Sequence, residues 1–363
     1  MRMPLFRGTK RWVVIVAAML LSSLLLSACA ENSPSVLNTF GPVAAKEASL
    51  FWFTLIVATI VFVIVEGVLL YSIFRYRERP NSPNPEQIHG NTTIEIIWTI
   101  APSIFLFVVL GATIYTMFGL SDLGGGNKVE VRVVAHQWWW EFDYPNYNIV
   151  TADSLHIPAG AVIQADLASN NVIHSFWIPA LSGKLDVIPG HNNQLLFKAD
   201  MNATGKKFRG ACAEFCGAQH AHMNFDVYVD DQNTFNRWVS VQQQAATPLN
   251  TGAVACKSPI PQSDLVACGA KFFAQGACVS CHGIVGVNLN GYNDPKALGL
   301  IGPNLTHFGS RDLIAGGILE NNPQNLALWL HNPQDVKPGN DMPDLGLSQD
   351  QINALVAYLE SLK

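Results

Sequence analysis

Two long apolar runs constrain this chain more than anything else in it. Residues 49–74 carry one charge, Glu66, and residues 94–120 carry one, Glu95. Each run is long enough to cross a hydrocarbon core of about 30 Å as a helix. Between them stand Arg75, Arg77 and Arg79, followed by Pro80, Pro83 and Pro85. Basic loops stay on the cytoplasmic side. The first helix therefore runs inward, the second runs outward, and everything after Ser121 is expected on the outer, oxidising face.

The N-terminus gives the same topology. Arg2, Arg7, Lys10 and Arg11 precede a short apolar stretch, residues 12–26, that ends in Leu26-Ser27-Ala28-Cys29. This is the pattern of an export signal, residues 1–28, and small residues just before a cysteine predict cleavage there and lipidation of Cys29. The exported N-terminal segment would be residues 29–48. Hydrophobic residues make up 49% of the 363 and charged ones only 13%, low for a purely soluble protein. A net charge of −5 gives no nucleic-acid surface.

After a Gly-rich stretch, residues 128–135 alternate apolar and polar, as a half-buried strand does. Further short strands are expected at 155–157, 161–167, 171–178, 194–199 and 224–229. Pro158, Gly160, Pro179, Gly183, Pro189 and Gly190 punctuate them, which suggests a β-sandwich or barrel over residues 121–241. Residues 242–263 read as a Gln/Ala/Pro/Thr-rich linker. From residue 264 to the end the pattern turns helical. Ser348 and Gln351 predict a capping box that opens a helix over 349–362. The fold class is thus a multidomain membrane protein: a two-helix hairpin (49–120), a β-domain and a C-terminal all-α domain (264–363).

Cys212, Cys216, His220 and Met223 lie within twelve residues of one another. Thiolate, imidazole and thioether together favour copper. A disulfide is the alternative for a Cys-x3-Cys pair on an oxidising face, but the His and Met at ordered spacing favour a metal. A further imidazole is needed; His174 is the best placed, with His156, His191 and His222 as competitors. Cys278-Val-Ser-Cys281-His282 reads as a c-type haem attachment site. The cysteines would form the thioethers and His282 the proximal ligand. Met342 is the only methionine after Met223 and is favoured as the second axial ligand over His307 and His331. Cys256 and Cys268 fall in neither motif, which predicts a disulfide between them.

The string His174-Ser-Phe-Trp-Ile-Pro, Lys184-Leu-Asp186, Pro189-Gly190 and Cys212-x-Glu214-x-Cys216-Gly217-x2-His220-x2-Met223 resembles subunit II of the haem-copper cytochrome c oxidases. With Gly302-Pro303-Asn304-Leu305 and the Met342 loop, which resemble class I cytochromes c, the chain looks like the bacterial caa-type with a fused cytochrome c domain. The resemblance implies a cupredoxin fold with a binuclear copper centre, the copper A type. Cys212 and Cys216 would bridge both coppers. His174 and His220 would bind one each, Met223 one, and the Glu214 carbonyl the other. The Glu214 side chain would share a magnesium ion with subunit I. Trp138, first of Trp138-Trp139-Trp140, would receive the incoming electron. The family often carries an aspartate just before the ligand histidine, where this chain has Asn170-Asn171, so no carboxylate role transfers there. Glu95 resembles a carboxylate near a proton-uptake channel, and Glu66, deeper in its helix, would face a partner chain.

These likenesses imply an electron-transfer subunit of a terminal oxidase in the cell membrane. Electrons would pass from cytochrome c or the bc complex through covalent haem c and the copper pair to subunit I, coupled to proton translocation. The chain has ten scattered histidines and none in the two runs, so oxygen reduction needs that partner. The copper subunit of a nitric oxide reductase would share the path with another acceptor. A copper-delivery lipoprotein would need no haem. A quinol oxidase subunit II would lack the copper ligands.

Overall fold

The two apolar runs form helices α1, Pro42–Arg75, and α2, Thr92–Leu120. The computed structural model describes residues 34–78, 80, 87, 89–120, 123, 126–246, 254–287 and 302–363. The expected signal segment and Cys29 lie outside the described residues. Helix α1 begins ahead of the apolar run because Pro42 suits a first helical position and Ala44, Ala45, Lys46 and Glu47 are good helix formers. Gly41 roots it on the β-domain: a Cβ there would fall 2.5 Å from the Lys198 carbonyl and 2.7 Å from that of Leu181. Lys46 Nζ donates to the Gly119 carbonyl at 2.5 Å, joining the start of α1 to the end of α2. Large apolar side chains stay exposed along both helices, Phe62 at 63% and Phe107 at 72%. Contiguous apolar surface of this extent needs lipid or partner helices.

The β-domain is a sandwich of two five-stranded sheets. One has the order β3-β2-β1-β5-β8, built from β1 Lys128–His136, β2 Trp139–Tyr144, β3 Ile149–Ala152, β5 Val162–Ser169 and β8 Asn193–Lys198. The other has the order β4-β10-β9-β6-β7, from β4 Ser154–Pro158, β6 His174–Trp177, β7 Lys184–Val187, β9 Lys207–Cys212 and β10 Asn224–Asp230. The pairs β1–β5 and β4–β10 are parallel and the rest antiparallel. Val131, Val133, Trp140, Phe142, Phe176 and Phe225 fill the space between the sheets.

Four strands are absent from the sequence reading. β2 is buried at every position, so it shows no alternation. β3 has only four residues. β7 is a short edge strand with exposed positions. β9 is interrupted by Gly210, where the Phe225 ring occupies the space a Cβ would need. Helix α3, Gln232–Gln242, was also unforeseen, because its composition is largely polar. Asp231 caps it, its Oδ1 accepting from the Asn233 and Thr234 amides at 2.9 and 3.0 Å. It buries Phe235 and Val239, and Trp238 stacks on His156 at 4.5 Å.

The C-terminal region contains α4 Leu265–Gln275, a short hairpin of β11 Leu313–Ile314 and β12 Leu319–Glu320, then α5 Pro323–His331, α6 Pro333–Val336 and α7 Gln349–Ser361. Ser348 and Gln351 form a reciprocal capping box at the start of α7. Phe273, Leu326, Leu355 and Tyr358 form the core, and Cys256 and Cys268 are joined by a disulfide. Helices α4 and α7 meet at Gly269, where a Cβ would collide with the Ala354 carbonyl and lie 2.6 Å from Tyr358 Cβ. Gly269→Ala should therefore destabilise this domain by about 1–3 kcal/mol. Denaturant unfolding followed by haem absorbance checks this; an unchanged midpoint would mean that the helices can separate at no cost.

Candidate metal and haem sites

The metal motif is a loop stretched between adjacent strands. Cys212 ends β9, His174 begins β6, and the two strands pair with Phe176 opposite Cys212. The Ala213 amide donates to the Ser175 carbonyl at 2.9 Å, and the Cys212 amide donates to the Met223 carbonyl at 3.0 Å. The second bond closes the loop, bringing its first and last donors together.

Six donors converge as a result. The thiols of Cys212 and Cys216 are free and lie 3.8 Å apart. Cys212 Sγ is 3.8 Å from His174 Nδ1 and 3.2 Å from the Glu214 carbonyl oxygen. Cys216 Sγ is 3.7 Å from His220 Nδ1 and 3.8 Å from Met223 Sδ. His174 and Met223 are fully buried, and both cysteines nearly so. The hydrogen bond between the two sulfurs pulls Cys212 down to about 3 and pushes Cys216 up. The pair thus sheds one proton easily and holds the other. A dry pocket of thiol, imidazole and thioether donors suits copper and disfavours hard cations.

Residues around the donors fix their orientation. His174 Nε2 lies 3.0 Å from Asn171 Oδ1, to which it donates, so Nδ1 is the nitrogen turned towards the sulfurs. No pattern in the chain marks Asn171 for this role. Gln137 Nε2 and Trp138 Nε1 both donate to the Cys216 carbonyl, at 2.7 and 3.0 Å. Gly217, at φ +114°, lets the Trp138 ring lie against the loop; a Cβ would sit 3.0 Å from it. The competing histidines have other partners. His156 pairs with Asp230 at 2.9 Å, and His222 lies 2.7 Å from Gln219 Oε1. His191 sits exposed in a turn.

A second cluster forms in the C-terminal domain. Cys278, Cys281, His282 and Met342 line one cavity, whose walls include Leu305 and Trp329. His282 Nδ1 lies 2.8 Å from the Pro303 carbonyl, which makes Nε2 the acceptor nitrogen of the ring. Burial lowers the His282 pKa, so the imidazole stays neutral, as a ligand must. Gly302 leaves room for that ring; a Cβ would fall 2.5 Å from it. Two thiols, a neutral imidazole and a thioether on one apolar cavity fit a covalently held haem. His307 lines a different cavity, and His331 is exposed at the end of α5. Trp138 and Trp139 form part of the wall of the haem cavity. Glu66 and Glu95 lie on the membrane helices, Glu95 in the first turn of α2, and the fold brings neither to the two clusters.

The fold and its sites define a multidomain membrane protein with a cupredoxin-like domain and a cytochrome c domain. The chain matches "Cytochrome C oxidase subunit II, transmembrane domain" over residues 38–114, "Cytochrome C oxidase subunit II, periplasmic domain" over 149–229 and "Cytochrome c" over 266–363. It is 34% identical over 349 residues to cytochrome c oxidase subunit 2 of Alkalihalophilus pseudofirmus, covering 94% of each chain. It is 37% identical over 355 residues to the same subunit of Bacillus sp. (strain PS3), covering 94% of this chain and 95% of the relative. Among solved structures, the periplasmic domain of subunit II of cytochrome oxidase of Bradyrhizobium japonicum is 27% identical, covers 33% of this chain and 96% of that one, and gives a TM-score of 0.31. The chain belongs to the cytochrome c oxidase subunit II family, in the form that carries a C-terminal cytochrome c domain. It is thus a subunit of a haem-copper oxidase, an oxidoreductase complex.

Groups that orient a metal-binding histidine typically contribute about 10- to 100-fold in affinity. Asn171→Leu should therefore weaken copper retention by about that factor, while Asn171→Asp keeps an acceptor and most of the affinity. Competition with a copper chelator measures both.

Proposed function

We propose that this chain is the electron-accepting subunit of a terminal oxidase. On the outer face of the membrane it takes electrons from a cytochrome c or the bc complex at its C-terminal domain. It hands them by way of Trp138 to the Cys212–Met223 cluster and delivers them to subunit I, where oxygen is reduced and protons are moved. One observation carries this reading. Trp138 forms part of the wall of the cavity that holds Cys278, Cys281, His282 and Met342, and its indole N–H reaches the Cys216 carbonyl at 3.0 Å. A single residue borders both candidate centres.

When bound, haem and copper each supply a one-electron couple at these sites. The residues hold and insulate them. Cys278 and Cys281 would anchor the haem, and His282 and Met342 would bind its iron; Met/His ligation raises the potential. Cys212, Cys216, His174, His220, Met223 and the Glu214 carbonyl would hold the copper. Burial of these donors excludes water, and the sheet holds them in place, which favours a site that changes little on reduction.

Beside the loop, Phe215 is 75% exposed and Ile173 is 45% exposed, an apolar edge next to the exposed Glu214 side chain. This supports subunit I docking there, with Glu214 able to share a magnesium ion across the interface. Glu95 would serve proton uptake in the partner, and Cys29 would anchor the mature N-terminus in lipid.

Copper per haem and the EPR hyperfine pattern of the purified chain test the reading. Two coppers per haem, with one unpaired electron shared between both nuclei, support it. One copper or none would point instead to copper delivery. Met342→Ala should abolish the sulfur-to-iron absorption band; a surviving band would mean another sixth ligand. Glu95→Ala should slow turnover of the assembled oxidase with copper and haem spectra intact, and unchanged turnover at matched assembly would remove Glu95 from the path.

A further inference from the structure

Lys337 carries an ammonium group into the interior and is only 3% exposed. Burying a charge costs several kcal/mol unless every donor is matched. Here the three N–H groups meet three carbonyls: Trp138 O at 2.8 Å, Ala315 O at 3.0 Å and His222 O at 3.2 Å. Ala315 belongs to the C-terminal domain, as Lys337 does. Trp138 and His222 belong to the β-domain. Trp138 is the residue that borders both centres, and His222 lies between the donors His220 and Met223.

Two segments of the C-terminal domain are shaped for this contact. Lys337 is in the same loop as Met342, and Gln334 braces that loop by donating to the Asn340 and Met342 carbonyls, each at 2.8 Å. A shift of Lys337 is therefore transmitted to Met342. In the second of these segments Ala315, Gly316 and Gly317 all have positive φ, at 58°, 74° and 82°. Glycine adopts this readily, but alanine does so only where the surroundings enforce it. A Cβ on Gly316 would collide with Lys337 Nζ and lie 2.7 Å from the Trp138 carbonyl. Gln219 Nε2 also donates to the Pro338 carbonyl at 2.6 Å, and the Asn224 amide to the Gly316 carbonyl at 3.2 Å.

We propose that Lys337 is a positioning residue: its ammonium clasps the cytochrome c domain onto the backbone of Trp138 and His222 and so fixes the gap that the electron crosses. The inference rests on the electron path proposed above and goes beyond it. A flexibly tethered domain would have to find its docking site at each turnover. A domain clasped at the backbone of the conducting tryptophan is already docked.

The test uses the full chain with haem and copper bound, comparing wild type with Lys337→Met. Two quantities are read: hydrogen exchange at 222–224 and 315–318, and the rate of internal electron transfer from haem to copper after flash reduction of the haem. In Lys337→Met, exchange in both segments should accelerate about tenfold or more, and internal transfer should slow by about 10- to 100-fold, with the haem and copper spectra unchanged. Those spectra are what a merely structural loss would move. Internal transfer at the wild-type rate overturns the proposal, whatever the exchange shows. Should Lys337→Met disturb the spectra, Gly316→Ala, which keeps the charge and wedges the contact, decides on the same two readouts. Absence of copper from the wild-type chain would defeat the electron path, while the exchange footprint would still report on the clasp.

Discussion

The arrangement of this protein depends on one backbone hydrogen bond, from the Cys212 amide to the Met223 carbonyl. It closes the loop on which five of the six soft or carbonyl donors stand. Without it, Cys212 would end one strand and Met223 would precede another, with nothing to converge on. The bond exists because β9 and β10 are antiparallel neighbours, so the loop leaves and returns at adjacent edges. The sixth donor, His174, arrives on β6, the other neighbour of β9. The three central strands of one sheet thus supply the whole donor set.

That geometry has an electrostatic consequence. The two thiols ionise as a pair rather than independently, because their sulfurs lie 3.8 Å apart in a nearly dry pocket. A cation that replaces the proton the pair holds gains two thiolates at once. The surrounding polar groups are spent on orientation: Asn171 on His174, and Gln137 and Trp138 on the Cys216 carbonyl. The haem cavity follows the same plan. Its imidazole is turned by a carbonyl and kept neutral by burial, and Gly302 makes space for the ring.

Between the two sites the contact is mostly main chain. Carbonyls of Trp138, His222 and Pro338 are the acceptors, and side chains of Lys337 and Gln219 are the donors. Carbonyls are held by the sheet and the loop, so their positions do not depend on rotamers. Two donor clusters joined in this way keep a constant separation, which suits a route for single electrons.

The sequence by itself determined the membrane hairpin, the copper-type loop, the haem motif and Met342. These features are written in local spacing or in runs of one chemical type, and local spacing survives without a fold. It also determined the alternating strands, such as β1 and β5, but not β2, whose residues are buried on both faces and so show no period, nor β9, where Gly210 gives way to Phe225. The sequence favoured His174 over its competitors His156, His191 and His222, and the tertiary structure decided that its Nδ1 turns towards the sulfurs. The tertiary structure also decided the roles of Asn171, Gln137 and Lys337. Gln137 and Lys337 act through hydrogen bonds to groups brought near by strand and domain packing, and Asn171 through a bond to His174 three residues on. A single polar residue carries no periodicity, and its partner lies up to 199 positions away along the chain.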